Sequence, residues 1–274
     1  MPQQLLSYKK SVIHYSRFGT GSHILLCFHG YAEQAVAFDF LEKYIGSQYT
    51  VYAVDLPFHG ETEWREGLLF TREDLTTIIK SILKAETEKA ADTGQITLMG
   101  FSLGGRTALS IYQAMPEKIN KLVLLAPDGL KVNFWYWLST QTMLGNKLFF
   151  ITMRYPGWFF GLLKLMNILG LVNASIFKFV NYYIGNAGLR DLLYARWTSL
   201  RKIKPDIEQI KSLIGEHHTP VRLVYGKHDR IMLSSVGEKF RKGIENQCRV
   251  TVIPSGHQVL HEKHAEYMLQ ALTG

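Results

Sequence analysis

The stretch "MGFSLGG", residues 99–105, decides how this chain is read: Ser102 is either a nucleophile held up on a sharp turn or one small residue in a glycine-rich loop. A Gly-x-Ser-x-Gly pattern is short enough to arise by chance, so its neighbours carry the decision. "QITLM" before it has the continuous apolar character of a buried strand, and "RTALSIYQAM" after it reads as a helix. Ser102 then lies at a strand-to-helix junction, where the chain must reverse sharply. Gly100 and Gly104 remove the side chains that would collide as strand and helix close on each other. The turn lifts the hydroxyl above the carboxyl ends of the strands, where open parallel sheets place their sites. The amide of Leu103, at the helix start, points toward a developing oxyanion.

Outward from this turn the same rhythm repeats. Short apolar runs, "HILLCFHG" (23–30), "YTVYAVDLP" (49–57), "KLVLLAP" (121–127), "VRLVYGKHD" (221–229) and "CRVTVIPSGH" (248–257), alternate with helical patterns. Runs of this kind predict parallel strands buried on both faces, and the whole reads as a doubly wound, mostly parallel α/β sheet. In the helix before "QITLMG", Leu75, Ile78, Ile79, Ile82 and Leu83 recur at helical spacing, and Thr71 with Asp74 forms its cap. "LLSYKKSVIHYSRF" (5–18) predicts an opening hairpin, with Gly19–Ser22 turning into the next strand. A closing helix is expected from about Glu262 to Leu272.

Between 131 and 204 the rhythm stops. Aromatic-rich, glycine-interrupted stretches such as "NFWYWL" and "IFKFVNYYIG" take over, so the core is expected at 1–130 and 205–274 and a helical insertion at 131–204. Its longest apolar run, Trp158–Val172, is broken by Lys164 and Asn167 and is too short to span a bilayer. The chain's net charge of +8 lies wholly in this region: from Gly129 to Pro205 there are ten basic residues and one acid, Asp191, so the remainder carries −1. That concentration points to an anionic membrane surface or an anionic substrate head group, with solvated lysines on helix faces as the bland alternative.

A serine hydroxyl is barely nucleophilic near neutrality, so a base must take its proton and a third group must orient that base. The chain supplies candidates at the ends of later strands: Asp229 after "VRLVYGKH" and His257 after "CRVTVIPSG", in the order Ser, Asp, His. Asp128, which ends "KLVLLAP", is a rival for the acid. His228 is expected to point away, and His261 and His264 to lie in the closing helix as surface or packing residues. A second oxyanion amide is expected from Tyr31, after "LLCFHG", where Gly30 lets the backbone come close and His29 reads as a structural histidine under the loop.

These residues together resemble the α/β-hydrolase fold family over nearly the whole chain. The matching elements are "HGY" (29–31), "DLPFHGET" (55–62), "GFSLGG" (100–105), "GKHD" (226–229) and "GH" (256–257). The resemblance implies an eight-stranded sheet with an inserted helical cap, Ser102 as nucleophile, His257 as base, Asp229 as its orienter, and the amides of Leu103 and Tyr31 as the oxyanion hole. Tyr31 stands where many members have a small residue, and Phe58 where they have glycine. The expected reaction is hydrolysis of a carboxylic ester with a hydrophobic acyl or aromatic group. Thioester or carbon–carbon cleavage by the same triad, or a small-molecule receptor with little turnover, are the alternatives.

No cofactor is implied. His257, His261 and His264 have helical spacings, but "HQVLH" lacks the glutamate of a zinc-protease helix and there is no cysteine cluster, so no metal is expected. Basic residues interleaved with aromatics would suit nucleic acid, yet they lie in the expected cap, so no nucleic-acid partner is expected. Two cysteines give no disulfide framework, and "MPQQLLSYKK" is not an export signal; both fit a cytoplasmic protein, peripheral to the membrane if the basic cap binds lipid.

Overall fold

The computed structural model describes residues 3–87, 96–170 and 182–274. The expected hairpin forms first: β1 (Gln3–Tyr8) and β2 (Ser11–Phe18) pair antiparallel, with Leu6 opposite Ile13. Six further strands follow: β3 (His23–Phe28), β4 (Tyr49–Val54), β5 (Ile96–Phe101), β6 (Ile119–Leu125), β7 (Val221–Gly226) and β8 (Cys248–Ile253). They assemble into one eight-stranded sheet of order β1-β2-β4-β3-β5-β6-β7-β8. Every pairing from β4 through β8 is parallel, while β2 joins β4 antiparallel. The order runs outward in both directions from β3 and β5, which makes their carboxyl ends the switch point where open sheets of this kind bind ligands.

Burial explains why the apolar runs become strands. Every residue of β5 is buried, as are Ile24–Phe28 of β3, because helices cover both faces of the sheet's centre. Helix α1 (Arg72–Thr87) buries Leu75, Ile78, Ile79, Ile82 and Leu83, the stripe that its spacing predicts. Its start is a reciprocal cap: the Asp74 carboxylate accepts from the Thr71 amide and hydroxyl, and the Asp74 amide donates to Thr71 Oγ1. Helix α2 (Leu103–Ala114), which leaves the serine turn, is buried from Leu103 through Tyr112.

The chain divides into two compact units. The first comprises Met1–Glu66, Phe70–Lys131 and Lys202–Gly274; the second comprises Gly67–Leu69 and Val132–Arg201. These bounds differ slightly from the sequence expectation. Lys131 and Lys202–Lys204 group with the sheet, and Gly67–Leu69 joins the helical unit, where Arg201 Nη1 donates to the Leu68 carbonyl at 2.6 Å. The helical unit contains α3 (Phe134–Gln141), α4 (Met143–Arg154), α5 (Gly157–Ile168) and α6 (Ala187–Ser199). Most of the expected stretch "IFKFVNYYIG" lies outside the described residues. After the insertion the sheet unit resumes with α7 (Ile207–His217), α8 (Ser234–Arg241) and α9 (Ala265–Thr273).

The closing helix begins later than its sequence suggests. A single tight turn, Glu262–His264, precedes α9. His261 therefore lies outside the helix, with Nδ1 accepting from the Lys263 amide, and His264 is buried with Nε2 against Ser255 Oγ at 3.0 Å. Among the described residues, no helix is long and apolar enough to cross a membrane.

Cys27 in β3 and Cys248 in β8 are free and buried. Burial pushes the Cys27 thiol well above its ordinary range and the Cys248 thiol up to about 12. Both are expected to stay unmodified by a thiol reagent at pH 8 in the native protein and to react together on denaturation. Labelling of either at the rate of free cysteine would show that its strand opens locally.

Candidate active site

The strand-to-helix turn puts Ser102 in a backbone conformation that L residues rarely adopt, with φ 49° and ψ −114°. Such a residue costs about 1–3 kcal/mol and persists only where its surroundings hold it. Three backbone hydrogen bonds do so: the Ser102 amide donates to the Leu125 carbonyl at 2.9 Å, and its carbonyl accepts from the amides of Gly105 and Asp128 at 2.9 and 2.8 Å. A serine at the head of a helix commonly caps it, but the Ser102 side chain makes no capping bond. Its Oγ lies instead 3.0 Å from His257 Nε2.

The two glycines of the motif make this closeness achievable. A Cβ on Gly100 would sit 2.3 Å from the Gly104 carbonyl oxygen, and one on Gly104 would sit 1.8 Å from the carbonyl oxygen of Phe28 in β3. Both neighbours are backbone and cannot swing aside. Gly104→Ala is accordingly expected to cost more than about 3 kcal/mol or to prevent folding, read by urea denaturation. A variant as stable as its parent would mean that α2 slides freely away from β3.

His257 follows β8, and its Nδ1 lies 2.7 Å from Asp229 Oδ2. The Asp229 side chain has no solvent exposure, and that of His257 retains 23%. Asp229 follows β7 and is fixed by two amides: Ile231 and Met232 donate to Oδ1 at 2.7 and 3.0 Å. A carboxylate at Nδ1 holds that nitrogen protonated and leaves the lone pair on Nε2 facing the serine. The Phe101 ring packs against the imidazole with centroids 5.3 Å apart, restricting its rotation.

The rival acid is elsewhere. Asp128 lies 3.4 Å from Arg106 Nε and accepts from the Gly129 amide at 2.7 Å. His228 is exposed, and its backbone amide donates to the Ser255 carbonyl at 2.8 Å.

Leu103 is the first residue of α2, so its amide has no carbonyl within the helix to donate to. Gly30 and Tyr31 follow β3, with Gly30 close against the Phe101 ring; a Cβ there would sit 2.9 Å from it. Tyr31 sets its ring edge-on to His59, centroids 6.0 Å apart. Beneath this loop His29 is fully buried: Nδ1 faces the Gly30 carbonyl at 2.8 Å, and Nε2 accepts from the Leu56 amide at 3.1 Å. It props the loop, as a structural histidine does.

Two supports, Asp55 and Glu33, were not read from the sequence. Asp55 gathers the loops around the site, accepting from the amides of Ala35 and Glu61 and lying 2.6 Å from His14 Nδ1 in a fully buried pair. Phe58 holds a positive φ of 63°, the left-handed region that glycine tolerates best, so its replacement of the usual glycine adds strain to that loop. Glu33 joins the two sides of the site: one oxygen accepts from the Gly30 amide at 3.3 Å and the other from Gln258 Nε2 at 2.7 Å. Burial raises its carboxyl above the usual range, against those hydrogen bonds and the charge of His257. Only its nearness to "HGY" could have drawn notice. Among the described residues, no group of three or more His, Cys, Asp or Glu side chains is placed to hold a metal.

The sequence pattern of the family described as Serine aminopeptidase, S33, matches residues 21–264. The chain belongs to this family of α/β hydrolases. A Bacillus subtilis (strain 168) protein named as an uncharacterized hydrolase, YugF, is 24% identical over 249 residues, covering 89% of this chain and 86% of its own. A 2-hydroxy-6-oxononadienedioate/2-hydroxy-6-oxononatrienedioate hydrolase of Cupriavidus pinatubonensis is 24% identical over 252 residues, covering 85% and 80%. Among solved structures, a thermophilic esterase from Thermogutta terrifontis superposes with a TM-score of 0.68 at 16% identity over 99% of this chain and 98% of its own. That likeness establishes the hydrolase's fold, not its substrate.

Proposed function

We propose that this hydrolase cleaves carboxylic esters of a hydrophobic acyl or aromatic group through an acyl-enzyme on Ser102. The observation that carries the reading is the continuous relay from Asp229 Oδ2 through His257 to Ser102 Oγ, with spans of 2.7 and 3.0 Å, ending on a hydroxyl that caps nothing. Ser102 Oγ attacks the ester carbonyl carbon as His257 Nε2 takes its proton. The imidazolium then gives that proton to the departing alkoxide, and a water deprotonated by the same nitrogen releases the acid. Asp229 keeps the imidazole in the working tautomer and offsets its positive charge. The amides of Leu103 and Tyr31 receive the oxyanion. The aromatic content of residues 131–204 supports a hydrophobic acyl group over a sugar or peptide.

The Cupriavidus relative supports a second reading, in which the same serine cleaves a carbon–carbon bond beside a carbonyl. One experiment separates the two. Purified protein is assayed against p-nitrophenyl esters of increasing acyl length under pre-steady-state conditions. A burst of nitrophenol equal to the enzyme concentration, with an optimum at medium or long chains, is expected. No turnover on any ester from folded protein would overturn the ester reading and leave the carbon–carbon one.

A further inference from the structure

We propose that the helical unit docks on the surface of an anionic phospholipid bilayer. Two of its helices bury apolar residues inward, Met153 and Leu163, and carry a second apolar row on the outside. On α4 and the residue after it, Leu144, Leu148, Ile151 and Tyr155 follow the i, i+4, i+7, i+11 spacing of one helix face, and all are exposed, Leu144 by 78% and Tyr155 by 67%. The inward side of α4 mixes polar and apolar groups, with Thr152 and Met153 buried and Phe149 packed against Tyr194 and Trp197. Asn146 there donates to the Ser139 carbonyl and to Thr198 Oγ1 and accepts from the Tyr194 hydroxyl. Helix α5 repeats the pattern: Trp158, Leu162, Leu165 and, just past its end, Leu169 are exposed at the same spacing. An ordinary surface helix turns its apolar stripe inward. Here eight large apolar side chains, four on each helix and its end, face water, and rows of this kind mark surfaces that meet a partner or a membrane.

The charges on these helices select the occupant. The exposed ionic residues beside the stripes are Lys147, Arg154 and Lys164, all basic. Across 132–201 the sequence has seven basic residues and one acid, a surplus of +6. A second copy would bring two such faces together against that repulsion. A bilayer with acidic head groups offers opposite charge together with hydrocarbon, and exposed Trp135, Trp137 and Tyr155 are the residue types that settle at its interface. Helices of 12 residues lie in the plane of such a surface and do not cross it.

The test measures binding, which needs no turnover. It is run on the full chain and on the Ser102→Ala variant, so a wrong nucleophile would leave it untouched. Sedimentation with phosphatidylcholine vesicles is compared with vesicles in which about one lipid in three is phosphatidylglycerol. Each basic residue near such a surface is worth about fivefold in partitioning, so the anionic vesicles are expected to recover at least tenfold more protein, and high salt to abolish the difference. Leu144→Glu combined with Leu165→Glu is expected to remove binding with an unchanged melting temperature, because both side chains are exposed. Equal recovery on neutral and anionic vesicles would overturn the proposal. So would a double variant that still binds lipid but has a raised KM for a short soluble ester, which would make the stripes a substrate surface. A parent that elutes as a dimer and a double variant that elutes as a monomer would assign the face to a second copy.

Discussion

Ser102→Ala is expected to lower kcat for ester hydrolysis by ~10⁴ or more while leaving the protein folded. The size follows from what the substitution takes away. No other hydroxyl lies against His257 Nε2 among the contacts of the described residues, so the variant keeps a base and an orienter with nothing to deprotonate. What would remain is attack by water, with the proposed oxyanion amides and substrate binding supplying any residual rate. The fold should survive, because the hydroxyl makes no capping bond and the strained φ of 49° is no worse for alanine than for serine. A stability change within about 1 kcal/mol is expected, since only the bond to His257 is lost. The measurement pairs kcat on a p-nitrophenyl ester with a thermal melt. A folded variant retaining more than about a hundredth of the parent rate would remove Ser102 from the chemistry.

The sheet and the position of Ser102 were legible in sequence for the same reason. A strand covered on both faces must be apolar throughout, so β3, β5 and β6 stand out as runs, and a site at their carboxyl ends falls on whatever residues follow. Asp229 is favoured over Asp128 in the sequence by the turn "YGKHD" and by the family resemblance, not by spacing. Both end strands, and sequence spacing does not say which strand lies beside the one carrying His257. Sheet order does: β7 pairs with β8, whereas β6 is one strand further away and its Asp128 meets Arg106. Long-range polar partners were hidden likewise. The His14–Asp55 pair joins residues 41 positions apart, and the Glu33–Gln258 contact joins residues 225 apart, with no periodicity to betray either. In the helical unit apolar spacing does not tell which side faces in, because α4 carries apolar residues on both, Leu144 and Leu148 exposed and Met153 buried.

That difference between the two acids leads to the second large effect. Asp229→Asn is expected to lower kcat by ~10⁴, and Asp128→Asn by less than about threefold. The asparagine would fit, but its orientation is dictated. The amides of Ile231 and Met232 both donate to the Oδ1 position, so the amide oxygen must settle there and its NH₂ must occupy the place of Oδ2. That NH₂ then faces Nδ1 of His257 across the 2.7 Å that the carboxylate spanned. A donor opposite Nδ1 turns that nitrogen into the acceptor and moves the ring proton to Nε2, where it points at Ser102 Oγ. The base is then blocked by its own proton, and no imidazolium can form with a compensating charge beside it. Asp128→Asn changes only a contact with Arg106 and with the Gly129 amide, neither of which reaches the relay. Measuring kcat for both variants on the same ester decides between them. Near-parent activity in Asp229→Asn, with loss in Asp128→Asn, would transfer the orienting role to the strand that the sheet order places further from His257.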